Sequence, residues 1–256
     1  VIYLGTSGYN HDEWVGTFYP PEMPKRDWLS HYSREFNACE IDFTFHTIPS
    51  PSLVDSLVHK SSPDFQFSIK AHHDMTHVRR GNERVFRDFS RAVEPLRRSG
   101  KLGCVLAQFP VTFNYTRENL DYIFLFRERL GGLPLVAEFR HESWLQPSAE
   151  EALRRQRIGL CCLDTPPFLR RGVSPGQASD PVAYVRLQGV EADYSPLLGL
   201  QELPHRAEKT FIFTHNRVWE QALRAVQRLK NLLSGDNPTD ETGTGLLSPR
   251  PRGGRR

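Results

Sequence analysis

Eight short apolar runs, each followed by a longer segment with helical spacing or turn residues, constrain this chain more than any other feature. They are Ile2 to Leu4, Cys39 to Phe43, Phe65 to Ala71, Gly103 to Phe109, Leu133 to Phe139, Ile158 to Leu163, Val182 to Leu187 and Thr210 to Phe213. Such runs are too short for helices and are spaced for crossover connections, the pattern of parallel strands. Eight is the number that closes the commonest parallel barrel, so the expected fold is a single (β/α)8 TIM-type barrel. The 256 residues suit one such unit.

The connecting segments differ in quality. Trp28, Tyr32 and Phe36 form one helical stripe. Phe86, Phe89, Val93 and Leu96 form another within residues 82–99, and Gly100 stands as its stop. Trp219, Ala222, Leu223, Val226, Leu229 and Leu233 give a third. The segment between strands six and seven, PPFLRRGVSPGQASDP, holds too much Pro and Gly for a regular helix and reads as an irregular crossover. The barrel is expected to span 1–233. Residues 234–256, which end in Arg250, Arg252, Arg255 and Arg256, read as a disordered basic tail.

A net charge of +3 with acidic and basic residues interspersed argues against a dedicated nucleic-acid surface. Arg79-Arg80 and Arg97-Arg98 read as solvated pairs. Cys39, Cys104, Cys161 and Cys162 lack CxxC spacing and mostly lie in apolar runs, so buried thiols in a reducing compartment are expected. The opening VIYLGTSG reads as a strand rather than a signal peptide, and no run approaches the ~20 apolar residues that cross a bilayer. The expected location is the cytoplasm, with no membrane partner.

The polar residues that close each run carry the functional signal. Parallel barrel strands deliver their C-terminal ends to one face, where barrel enzymes place their active sites. Residues two apart share a side of a strand. Alternation therefore groups Glu40 with Asp42, Ser68 with Lys70 and His72, Glu138 with Arg140, and Tyr184 with Arg186 and Gln188. The polar set belongs to the barrel axis, and Cys39, Ile41 and Phe43 belong to the helix layer. The candidate catalytic groups are Glu40, Lys70, Glu138 and Asp164. The candidate substrate-binding groups are Ser7, Gln108, Arg140, His141, Arg186 and Asn216.

Several chemistries fit these residue types. Arg140, Arg186 and Lys70 suit a carboxylate or phosphate. Glu40 and Glu138 suit paired acid–base work, although neighbouring arginines would keep both ionised and favour a scaffold role. Lys70 suits a Schiff base, which the same carboxylates would oppose by holding it charged. Glu138, Asp164, Gln188 and His215 or Asn216 come from successive strands as metal ligands would, but the amides are poor donors, and no metal or other cofactor is assigned. His72, His73 and His77 read as exposed loop histidines. Trp14 and Trp144 read as covers of the core edge, with sugar stacking as the alternative. Gly5-Thr6-Ser7-Gly8 matches no phosphate-loop fingerprint, and both glycines read as serving a tight turn. No serine or cysteine nucleophile motif is present.

These strand-end motifs resemble the YecE-like family, also called domain of unknown function 72, from about Leu4 to Leu233. The matching motifs are Gly5-Thr6-Ser7-Gly8-Tyr9 with Trp14 and Phe18-Tyr19-Pro20, then Glu40-Ile41-Asp42-Phe43-Thr44-Phe45 and Phe67-Ser68-Ile69-Lys70-Ala71. Gln108-Phe109-Pro110, Glu138-Phe139-Arg140-His141 with Ser143-Trp144, Asp164 and Tyr184-Val185-Arg186-Leu187 follow in order. Gln188-Gly189-Val190 and His215-Asn216 depart from the family pattern. The resemblance implies the same barrel and brings no established activity. The expected function is binding, with or without transformation, of a small polar or anionic molecule at the mouth. A non-catalytic module associated with nucleic acid is the alternative.

Overall fold

A computed structural model describes residues 1–163, 182–187 and 207–215. Eight parallel strands close in sequence order into a barrel. They are β1 (Ile2–Ser7), β2 (Ala38–Ile41), β3 (Gln66–Lys70), β4 (Leu102–Gln108), β5 (Leu135–Glu138), β6 (Ile158–Leu163), β7 (Val182–Leu187) and β8 (Lys209–Thr214). β8 returns to β1 with Thr214 opposite Thr6, which closes the ring. The expected eight runs and the barrel are therefore present.

Five helices are described: α1 (Trp28–Glu35), α2 (Pro51–Lys60), α3 (Glu83–Arg98), α4 (Arg117–Arg129) and α5 (Pro147–Arg155). Local chemistry starts them. The Ser50 hydroxyl accepts from the Leu53 N–H ahead of Pro51, and Thr116 does the same for Asn119. The two expected early stripes are inside: Trp28, Tyr32 and Phe36, then Phe86, Phe89, Val93 and Leu96, are all buried against the strands. Gly100 takes φ +72° just beyond α3, as a stop requires. The 6–7 crossover, the helix expected around Trp219 to Leu233 and the tail lie outside the described residues. No helix of the described residues is long and apolar enough to cross a membrane.

The far end of α2 is closed from a distance. Lys101, only 7% exposed, donates through Nζ to the carbonyls of Val58, Ser61 and Ser62 and to the Ser61 hydroxyl, at 2.8–3.1 Å. One ammonium thus satisfies acceptors that the helix cannot satisfy itself. Lys101→Met is expected to cost about 1–3 kcal/mol, measured as a lower urea midpoint with unchanged slope. An unchanged midpoint would show that water replaces the ammonium without penalty.

Inside the barrel the lower and middle layers are apolar. Leu106, Val136, Leu163, Phe211 and Phe213 pack about the axis with Tyr184. The expectation that the axis is polar therefore holds only for its upper end. β4, β6 and β8 send mainly hydrophobic side chains inward, because an unpaired polar group buried there would lose its water contacts. The glycines of the first motif also divide. Gly8 has φ +81° and serves the expected turn, whereas Gly5 lies within β1. A Cβ at Gly5 would fall 2.0 Å from the Ala38 carbonyl oxygen, so close strand approach explains it instead.

Candidate functional site

Strand ends bring most of the expected polar residues together. In register, Ser7 of β1 lies beside Glu40 of β2, and Gln108 of β4 lies beside Glu138 of β5. Each neighbour serves a carboxylate: Ser7 Oγ donates to Glu40 at 2.6 Å, and Gln108 Nε2 donates to Glu138 at 2.7 Å. Both glutamates are fully buried.

Arg186 of β7 joins them. Its Nη2 donates to Glu40 at 2.9 Å and its Nη1 to Glu138 at 2.7 Å, from a guanidinium that is itself nearly inaccessible. Arg140, just beyond β5, adds a second cation on Glu138 at 2.6 Å, and its side chain is 31% exposed at the mouth. Tyr184 completes the set: its hydroxyl donates to Glu40 at 2.6 Å and lies 2.8 Å from Ser68.

Electrostatics follow from this packing. Burial alone would raise the Glu40 pKa, but the Arg186 guanidinium and the Ser7 and Tyr184 hydroxyls outweigh it and hold the carboxyl below its usual range. Burial likewise opposes charge on Arg186, yet the two glutamates keep it firmly protonated. Burial and the Glu40 charge push the Tyr184 phenol up, so it remains a donor. The Ser68 hydroxyl therefore donates to Tyr184. Tyr184 was legible as a member of the alternating β7 set and of the β7 motif, but nothing local marks a tyrosine as a partner for Glu40.

Lys70 is different. It stands half-buried at the end of β3 with Nζ 4.5 Å over the Phe45 ring, and Nζ makes no hydrogen bond or ion pair with any described residue. Burial and the Arg186 charge lower its pKa, and the opposing pull of Glu40, Glu138 and Asp42 does not restore it. These carboxylates do pull toward the charged form, as expected, but less than burial and Arg186 pull against it. Phe45, missed in the sequence, comes from a 3-10 turn, Phe43–Phe45, that Asp42 precedes. β2 ends at Ile41, and Asp42 is exposed at the rim, where its charge still acts on Lys70 and His215. Phe43 is likewise 41% exposed rather than in the helix layer.

Other expected groups fall elsewhere. His141 Nδ1 accepts from the Ser143 N–H, capping the turn Glu142–Trp144. Trp144 stacks on Phe139 with ring centres 4.0 Å apart and donates to the Phe113 carbonyl, while Trp14 is wholly buried against Tyr19 and Tyr32. Both tryptophans cover the core. The histidines are not simple exposed loop residues: His72 is 15% exposed, and His73, which caps the π-helical turn Asp74–Val78, stacks at 4.9 Å on His77 within it, beside Phe45. Burial and the neighbouring His73 and Lys70 hold His77 below its usual pKa. Burial and Arg186 act the same way on His215 at the end of β8. The four cysteines are buried. Among the described residues no three His, Cys, Asp or Glu side chains form a metal cluster. Asp164, Gln188 and Asn216 lie outside the described residues.

Comparison with known proteins agrees with this architecture. The chain is 33% identical over 154 residues to the UPF0759 protein YunF of Bacillus subtilis (strain 168), a match covering 57% of this chain and 53% of that relative. The match thus spans about half the length of the curated relative. A crystal structure of a DUF72 family protein from Thermotoga maritima MSB8 is 28% identical, with TM-score 0.75 over 90% of this chain and 99% of that one. One from Enterococcus faecalis V583 is 21% identical, with TM-score 0.76 over 97% and 100%. An AP endonuclease, family 2, from Brucella melitensis is 12% identical with TM-score 0.54 over 90% and 97%, and shares the fold alone. The family model described as "Protein of unknown function DUF72" matches residues 3–246, and the chain belongs to that family.

Proposed function

We propose that the chain binds a small polar molecule carrying a carboxylate or phosphate at the C-terminal mouth of the barrel, with Lys70 and Arg140 as the groups that meet it. One observation carries this reading. Buried Arg186 is committed to Glu40 and Glu138, Arg140 meets Glu138 while its side chain stays 31% exposed at the mouth, and the Lys70 ammonium has no anionic partner among the described residues. A half-buried cation without a counter-ion favours an anion from solution. Glu40 and Glu138 then act as a scaffold that orients the arginines, with Ser7 and Gln108 behind them. Neither glutamate is placed as a proton donor, since their oxygens already accept from cations and hydroxyls.

The arginine pairs do not favour the nucleic-acid alternative. Arg97 is tied to Glu94, and Arg79 lies over the Phe113 ring and donates to Asn119. Thermal unfolding in inorganic phosphate or oxalate tests the proposal. Saturating ligand at about 100 Kd is expected to add about 2.7 kcal/mol, read as a rise of roughly 5–10 °C. Lys70→Ala should keep the fold and lose that rise. If neither anion moves the melting temperature, the mouth is not an anion site.

A further inference from the structure

We infer that Lys70 is a covalent nucleophile, an amine that condenses with the carbonyl group of an aldehyde or keto acid whose carboxylate rests on Arg140. This deepens the proposed anion-binding reading and rests on it.

Position is the first argument. The Lys70 side chain alternates with Ser68 on the inner side of β3, and Ser68 meets Tyr184 on the barrel axis, so the amine stands where the strand ends converge. Pairing is the second. A lysine stays protonated and inert when a free carboxylate sits beside it, and the two nearest buried carboxylates here are saturated. Glu40 accepts from Ser7, Tyr184 and Arg186, and Glu138 accepts from Gln108, Arg140 and Arg186. Surroundings are the third. One guanidinium shares the site with the amine, and the apolar Phe45 ring lies under it. Desolvation beside another cation is a recognised way to free a lysine lone pair, and the lowered Lys70 pKa accords with it. Asp42, exposed on the rim, is the remaining acidic group that acts on it, and the neighbouring His77 and His215 are both held toward their neutral forms.

The step balances without an oxidant or reductant. The Nζ lone pair adds to the carbonyl carbon, the former carbonyl oxygen takes a proton, and Nζ releases one. Loss of that oxygen as water then leaves a C=N bond. Arg140 holds the carboxylate and so presents the carbonyl to Nζ. The net change is amine plus carbonyl giving imine plus water.

Trapping decides the matter. The protein is incubated with glyoxylate and cyanoborohydride, and peptides are mapped for a mass increase equal to glyoxylate less one oxygen. Lys25 and Lys60, both exposed, serve as internal controls. Lys70 is expected to be labelled about tenfold faster than either control, or more. Lys70→Arg should abolish that label, while oxalate, which cannot form an imine, should stabilise the native protein. If oxalate stabilises the protein but label spreads evenly over Lys25, Lys60 and Lys70, the nucleophile is overturned and the anion site stands. If oxalate has no effect and Lys70 is not preferred, both readings fall.

Discussion

Replacing Arg186 with Met is expected to lower the melting temperature by roughly 6–20 °C, the largest effect of any single change at the mouth. Among the described residues the guanidinium is the one cation that touches both Glu40 and Glu138, two fully buried carboxylates. Breaking a buried pair by removing one partner costs about 3–5 kcal/mol, because the surviving charge is stranded. The deficit should depend on pH. In the native protein the Glu40 pKa lies below its unfolded value, so its contribution is complete above the ordinary carboxylate range and is lost as pH falls through the folded pKa. Without Arg186, burial weighs more heavily on Glu40, which takes up a proton more readily. The gap between variant and native protein should thus be widest near neutral pH and narrow in acid. Adding Glu40→Gln and Glu138→Gln to the variant should recover part of the loss. Thermal scans from neutral to acidic pH measure this, and a fall of less than about 2 °C at neutral pH would mean that water already screens the pair.

Gly5→Ala should cost about 3 kcal/mol or more, at or above the upper end of ordinary overpacking. The new methyl carbon would lie 2.0 Å from the Ala38 carbonyl oxygen and 3.2 Å from the Phe213 ring. No rotamer relieves an overlap with backbone, so β1 and β2 must part where Gly5 pairs with Ala38, two residues before Ser7 meets Glu40. Gly8→Ala is the control. There the cost is the left-handed backbone at φ +81°, about 1–2 kcal/mol, and the crowding atom belongs to the movable His11 ring. Denaturant unfolding of the two variants should rank Gly5→Ala as the more damaging. The reverse order would return Gly5 to the role of a turn residue.

Alternation along the strands predicted that Glu40, Ser68, Lys70, Glu138, Tyr184 and Arg186 share the barrel interior. It succeeded because side-chain direction within a strand depends only on the chain's own period of two. It failed at Phe43, where β2 has given way to a 3-10 turn and the period no longer applies. His141 and Trp144 were prominent by composition, yet their contacts are with neighbouring turns and core rings.

The sequence by itself determined the eight strands, the buried faces of α1 and α3, the inert cysteines and the identity of the charged side chains at the mouth. All of these are local properties of spacing and side-chain type. Only the tertiary structure decided how those charges divide. Glu40, Glu138 and Arg186 lie on β2, β5 and β7, and their heights along the axis depend on the tilt and stagger of the closed sheet, which no single segment encodes. Closure unites those three and leaves Lys70 on β3 without an anionic partner among the described residues.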